Sequence, residues 1–180
     1  IINTAIQAAG EPNQVSISVS KQNYTHDMIM RTGAFTVSSI TEKADFSLFK
    51  RFGFQSGKET NKFDGFDGWL RGINGVPYIT ESCNAYISVK VEKTVDLGSH
   101  TLFIGQVTDM EVLSEDPSVT YAYYQSNIKP KPEKVGTTPK GETVWRCIIC
   151  GYEYVGEELP EDFICPWCKH PASDFEKIVR

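Results

Sequence analysis

The sequence predicts a mainly β protein in two parts: a mostly antiparallel barrel with a few helical connections, then a small metal-binding module. Three observations carry this expectation. Four β-branched, partly alternating runs are separated by turn residues in the first part of the chain. Ile128 to Thr143, "IKPKPEKVGTTPKGET", holds three prolines and two glycines and almost no large apolar side chain, which suits an extended, exposed linker. Beyond it, "WRCIICGYEYVGEELPEDFICPWC", Trp145 to Cys168, spaces four cysteines as two Cys-x-x-Cys pairs with fourteen residues between them. The expected boundaries are therefore 1–127 for the barrel, 128–143 for the linker and 144–180 for the module.

The strands are expected in "VSISVS" (Val15 to Ser20), "AFTVSSI" (Ala34 to Ile40), "AYISVKVEKTV" (Ala85 to Val95) and "TLFIGQVTDMEVL" (Thr101 to Leu113). "THDMIMR" and "ADFSLFKRF" place apolar residues three and four apart, with Thr25 and Asp45 suited to a helix start, so each predicts a brief helix. The glycine-rich "DGFDGWLRGING" (Asp64 to Gly75) follows no predicted strand and opens no periodic helix. It reads as a surface loop rather than a dinucleotide fingerprint. No internal repeat is visible.

At 180 residues, with 40% hydrophobic and 12% aromatic content, the chain can bury a core of ordinary size plus a satellite. A net charge of -5 and a pI near 5.2 offer no basic footprint for a phosphate backbone, which argues against nucleic acid. No run approaches the roughly 18 apolar residues of a membrane helix, and "IINTAIQAAG" lacks the pattern of a secretion signal. The expectation is a cytoplasmic protein without membrane attachment. The chain opens on Ile1 inside an apolar run with no cap or turn. Either an upstream segment precedes it or the barrel closes differently.

Cys147 and Cys150, then Cys165 and Cys168, can each present two thiolates to one metal, closing a tetrahedral four-sulfur site. Two disulfides are the alternative, disfavoured by the reducing compartment and by the paired spacing. Spacing alone leaves iron and zinc both open, since soft thiolates accept either. Trp145, Tyr152, Tyr154, Phe163, Trp167 and Phe175 supply an aromatic core that so small a module would build around its metal. Cys83 is the one cysteine outside the module and reads as a core thiol.

On these residues the segment from Glu142 to Arg180 resembles rubredoxin. Its "CxxCGY" is met by Cys147, Cys150, Gly151 and Tyr152, and its "CPxC" by Cys165, Pro166 and Cys168. The resemblance implies one iron on four thiolates, cycling between ferric and ferrous states as a one-electron carrier. Lys169 departs from the glycine usual after the last ligand.

Read by residue type, Asn3, Thr4, Lys21, Asn23, Thr25, His26, Ser38 and Ser39 are small or polar groups between strands. With backbone amides and a helix start they could receive a phosphate or a flavin's polar edge, though each alone is an ordinary turn or cap residue. "INTA" (Ile2 to Ala5), "SKQNYTH" (Ser20 to His26), "GAFTVSSI" (Gly33 to Ile40) and "GSHTLFIGQV" (Gly98 to Val107) are similar, in this order, to motifs of the flavin reductase-like family. That family implies an FMN-binding split barrel, usually a homodimer. Carried over, Asn3 and Thr4 would line the isoalloxazine ring, Lys21, Asn23 and Thr25 would lie near the phosphate, and Ser38 and Ser39 would serve the ribityl and phosphate region. His100 would sit close to the flavin as the candidate catalytic residue. Ser99 stands where the family usually has aspartate.

Joined in one chain, the two parts resemble the high-molecular-weight rubredoxins of anaerobic bacteria. FMN exchanges electrons in pairs or singly while the iron exchanges one, so the fusion can connect different kinds of redox partner. The resemblance implies an NAD(P)H:rubredoxin reductase as donor and a flavodiiron protein reducing oxygen or nitric oxide as acceptor. Two other functions compete: a direct NAD(P)H:flavin reductase with an accessory metal domain, and a non-redox protein in which a zinc ribbon mediates interactions.

Overall fold

The computed structural model describes residues 1–130, 143–167 and 170–179. The chain falls into two compact units, Ile1–Asp45 with Ser56–Ile128, and Phe46–Gln55 with Lys129–Arg180.

The first unit contains strands β1 (Ile6–Ala9), β2 (Gln14–Ser20), β3 (Ala34–Ile40), β4 (Trp69–Arg71), β5 (Pro77–Ile79), β6 (Cys83–Asp96) and β7 (His100–Val112). Five of them form an antiparallel sheet in the order β1-β2-β7-β6-β3. The alternation of β2 decides its faces: Val15, Ile17 and Val19 are buried while the intervening serines are not. Phe35 of β3, Val89 of β6 and Phe103 of β7 meet them in one core, with Val89 and Phe103 fully buried. Gly105 allows the long β6 and β7 to approach. A Cβ there would meet the Lys90 carbonyl oxygen and Val89 Cγ1.

Helix α1 (Tyr24–Thr32) drops Ile29 into this core and ends where Gly33, at φ 65°, returns its N–H to the Ile29 carbonyl at 2.8 Å. Its N-cap is Asn23, and Thr25 lies in the first turn. A short helix α3 (Tyr121–Tyr123), capped by the Thr120 hydroxyl, continues as a π-helix over Tyr124–Ile128.

Several elements of the first unit depart from the sequence reading, among them β1 and the β4–β5 pair. β1 had no signal, because "IQAA" is a short, exposed edge strand without apolar alternation. The stretch read as the loop Asp64 to Gly75 carries β4, which pairs with β5 through Trp69↔Ile79 and Arg71↔Pro77. Its turn is closed by Gly75 at φ 76°, and Arg71 donates to the Gly75 carbonyl at 2.8 Å. Three-residue strands are too short for periodicity to register.

The second unit holds β8 (Thr143–Cys147), β9 (Glu153–Val155) and β10 (Phe175–Val179) as an antiparallel sheet in the order β10-β8-β9. Its core consists of the described cysteines and Phe175, with Tyr152, Phe163, Trp145 and Trp167 packed against them. Helix α2 (Phe46–Gly53) belongs to this unit although its sequence lies between β3 and β4. Of the stretch expected as a linker, residues 131–142 lie outside the described residues.

Candidate functional site

The register between β2 and β7 builds the first site. Ser20 faces His100 and Ser18 faces Leu102, so both pairs lie on the sheet surface opposite the core. Over that surface runs the segment at Ile2, Asn3 and Thr4, and the three walls enclose an open cleft of about 380 Å³ that also reaches Asn23. Such a volume falls within the roughly 300–1,000 Å³ of small-molecule sites. The lining is mixed, with the Asn3, Thr4, Asn23 and serine groups set among Ile2, Ile6 and Leu102.

His100 is held from one side by its neighbour. The Ser99 hydroxyl lies 2.9 Å from its Nδ1. On the core face of the same strand, His26 Nε2 lies 2.9 Å from the buried Thr101 hydroxyl, and its Nδ1 lies 3.2 Å from the Asp27 carboxylate. The bond to Thr101 ties α1 to β7, and with it the Asn23 end of the helix, while the Asp27 contact lies within α1.

Lys21 adjoins the cleft without lining it. Its Nζ meets Asp96 Oδ1 at 2.7 Å, and its backbone N–H donates to the Ser99 carbonyl at 3.0 Å. Asp96 also accepts from the Gly98 N–H at 2.8 Å. The Lys21 bond, then the Gly98 bond, hold the Asp96 carboxyl below the usual carboxylate range. Thr25 is exposed on α1. Ser38 and Ser39 lie on β3, at the far end of the strand order from β1 and β2. Ser38 accepts from the Ile79 N–H at 2.9 Å, and Ser39 bonds Ser118 at 3.1 Å. The structure therefore gathers Asn3, Thr4, Asn23 and His100 around one cleft, and leaves Ser38 and Ser39 elsewhere. Sequence reasoning passed over Ser16, Ser18 and Ser20 as groups that line the cleft. Their signal was the strict alternation of "QVSISVS", which puts all three hydroxyls on one face.

The second site is made by the hairpin that carries Cys147 and Cys150 together with Cys165. The Gly151 N–H donates to the Cys147 carbonyl, the Cys147 N–H donates to the Tyr152 carbonyl, and the Cys165 N–H donates to the His170 carbonyl, each at 2.8 Å. Gly151 sits at φ 77°, which suits a residue without Cβ. The Sγ atoms of Cys147, Cys150 and Cys165 are buried and lie within 4.8 Å of one another. Cys150 and Cys165 approach to 3.4 Å. A tetrahedron with metal–sulfur bonds of about 2.3 Å has edges of roughly 3.8 Å, whereas a disulfide closes to about 2.05 Å. The three described sulfurs thus fit a soft metal ion, and the fourth expected ligand, Cys168, lies outside the described residues. Around them, Tyr152 and Trp167 pack edge to face with centroids 5.5 Å apart, as do Phe163 and Phe175 at 5.4 Å.

An open cleft of mixed lining, a cluster of three buried cysteines and the family match that follows together place the chain in a class of redox proteins: flavin-containing oxidoreductases and electron carriers. The chain belongs to the flavin reductase-like family, whose domain model matches residues 1–131, and a rubrerythrin and rubredoxin-like domain model matches residues 145–176. A high molecular weight rubredoxin of Moorella thermoacetica is 34% identical over 99% of this chain and 88% of its own length. A ferric-chelate reductase (NAD(P)H) of Archaeoglobus fulgidus is 38% identical over 81% of this chain and 82% of its own length. Among solved structures, an NADH:FAD oxidoreductase of Streptomyces globisporus superposes with a TM-score of 0.58 at 23% identity, covering 65% of this chain and 68% of that one. An FMN-binding protein of Thermus thermophilus gives 0.55 at 24% identity, covering 61% and 59%. The chain thus spans less than two thirds of that FMN-binding protein. These likenesses make the first unit a flavin reductase barrel. No helix among the described residues is long and apolar enough to cross a membrane.

Proposed function

We propose that this protein carries electrons between an NAD(P)H-dependent reductase and a terminal acceptor such as a flavodiiron oxygen or nitric oxide reductase, using FMN in the cleft and one iron on Cys147, Cys150, Cys165 and Cys168. The observation that carries the reading is the coexistence of both sites in one chain, aligned over 99% of its length with a high molecular weight rubredoxin. Bound FMN would supply an acceptor of two electrons or one, and the iron a one-electron couple. Asn3 and Thr4 would present polar groups to the flavin ring. Asn23, at the start of α1, would meet the phosphate with Lys21 and Thr25 beside it. His100, anchored by Ser99, would hold one ring nitrogen at the cleft wall for hydrogen bonding to the flavin. The protein would work in the cytoplasm as a homodimer.

A second reading has its own support: the likeness to a ferric-chelate reductase (NAD(P)H) favours direct reduction of the flavin by the pyridine nucleotide. An absorption spectrum of protein purified without oxygen and then oxidised tests both. Flavin bands with red ferric-thiolate bands are expected, and a colourless zinc protein overturns the electron-carrier reading. Adding NADH or NADPH to the oxidised protein alone then decides between them, because only the direct reductase bleaches its own flavin.

A further inference from the structure

We propose that His26 is a positioning residue for the polar end of the cleft: its bond to Thr101 closes a circuit that fixes Asn23 relative to His100, and so sets how tightly the chain holds the phosphate of FMN. The inference rests on the reading that FMN occupies the cleft with its phosphate at Asn23. Ser20, Asn23 and His100 all line that cleft. Behind its wall, bonds lead from one to the next. The Asn23 N–H donates to the Ser20 carbonyl at 3.0 Å, and the His26 N–H donates to the Asn23 carbonyl at 2.8 Å. His26 Nε2 then lies 2.9 Å from the Thr101 hydroxyl. Thr101 follows His100 in β7, and His100 stands opposite Ser20 in the β2–β7 register. Of these links only His26–Thr101 is made by two side chains, so a substitution can open it without touching the backbone.

The chemistry of that bond gives it one geometry. The Asp27 carboxylate, 3.2 Å from His26 Nδ1, can only accept, so in the neutral imidazole Nδ1 carries the proton and Nε2 accepts from the Thr101 hydroxyl. Thr101 is 6% exposed, and its hydroxyl has no other partner among the described residues. A buried donor deprived of its one acceptor keeps its desolvation cost, so the pair resists parting. The imidazole also packs on the Phe103 ring of the core, with centroids 5.7 Å apart. His26 does not itself line the cleft and acts through Asn23, whose side chain makes no capping bond to α1. The backbone at the start of α1 therefore decides where the Asn23 amide stands, and His26 holds that backbone to the strand carrying His100.

The test compares FMN with riboflavin by fluorescence titration of the full chain, in the parent, Thr101→Val, His26→Phe and the double variant. Valine removes the hydroxyl and keeps the branching at Cβ, while phenylalanine removes both nitrogens and keeps a ring against Phe103. Each single variant should weaken FMN about tenfold and riboflavin less than about twofold, and the double variant should be no weaker than either, since both changes break one bond. Thr101→Ser, which restores a hydroxyl, should bind FMN as the parent does. Equal losses for the two flavins, additive losses in the double variant, or unchanged FMN binding would each overturn the proposal. Should His26→Phe fail to fold, the two Thr101 variants carry the comparison: the preference for FMN is expected to fall in Thr101→Val and persist in Thr101→Ser, and its persistence in both overturns the proposal. A parent that binds FMN no more tightly than riboflavin removes the phosphate from Asn23, so that the underlying reading falls first.

Discussion

Lys21 Nζ and Asp96 Oδ1 meet at 2.7 Å, joining the residue that follows β2 to the last residue of β6. The turn after Asp96 leads into Ser99 and His100, and the Lys21 N–H donates to the Ser99 carbonyl, so the ammonium expected to serve an anion is already engaged by a carboxylate. A phosphate arriving at this corner must compete with Asp96.

Asp96→Asn should therefore tighten FMN several-fold at low ionic strength and leave riboflavin unchanged, as read by fluorescence titration of both ligands. An equal change for the two would show that Lys21 does not act on the phosphate. The carboxyl of Asp96 is depressed in the folded chain, so its contribution to stability is complete above the ordinary carboxylate value of about 3.9. It is lost as the pH falls below that value through the depressed one. In the Asn variant this segment of the acid unfolding curve should flatten.

Replacing Asn23 and Thr25 together by alanine should weaken FMN about tenfold more than riboflavin, since the helix start would lose the side chains nearest a phosphate. Dissociation constants for the two flavins check this. Equal losses would put the phosphate elsewhere on the cleft.

Cys147→Ala, Cys150→Ala and Cys165→Ala should each abolish stoichiometric iron, as measured by metal analysis, because the three sulfurs share one cluster with no spare donor among the described residues. Each should also loosen residues 143–179, since the cage is the centre of their core. Full iron in any one variant removes that residue from the site.

Gly105→Ala should destabilise the first unit by about 1–3 kcal/mol, the usual cost of forcing atoms into a packed site. The new methyl would meet the Lys90 carbonyl and Val89 across the β6–β7 ladder. Thermal unfolding of the variant against the parent gives the number, and an unchanged midpoint would mean the two strands separate easily.

Cys83 is buried, and burial, then the nearby Glu81 carboxylate, pushes its thiol up to about 12. It should resist alkylation at pH 8 in the native protein and react only on unfolding, with mass spectrometry of the labelled peptide as the readout. Rapid native labelling would place the residue in a mobile region.

The cysteine cluster was legible from the chain because its groups are local: Cys147 and Cys150 fold as one hairpin, closed by the Gly151 N–H on the Cys147 carbonyl, and the spacing of the pairs suggests the chemistry before any tertiary contact forms. The long strands were legible for the same reason, since the alternation in "QVSISVS" both makes β2 and assigns its faces. Tertiary structure decided what depends on distant partners. Asn3, Asn23 and His100 share a cleft only because β7 pairs with β2 in the register that sets His100 beside Ser20. Ser38 and Ser39 carry equally suitable hydroxyls, yet β3 sits at the opposite end of the sheet order and their bonds go to Ile79 and Ser118. The engagement of Lys21 by Asp96 spans 75 positions of the chain, and α2 reads as an ordinary amphipathic helix whatever it packs against. Periodicity tells a helix or strand which face to bury, but the choice of partner is made by the packing of the whole chain.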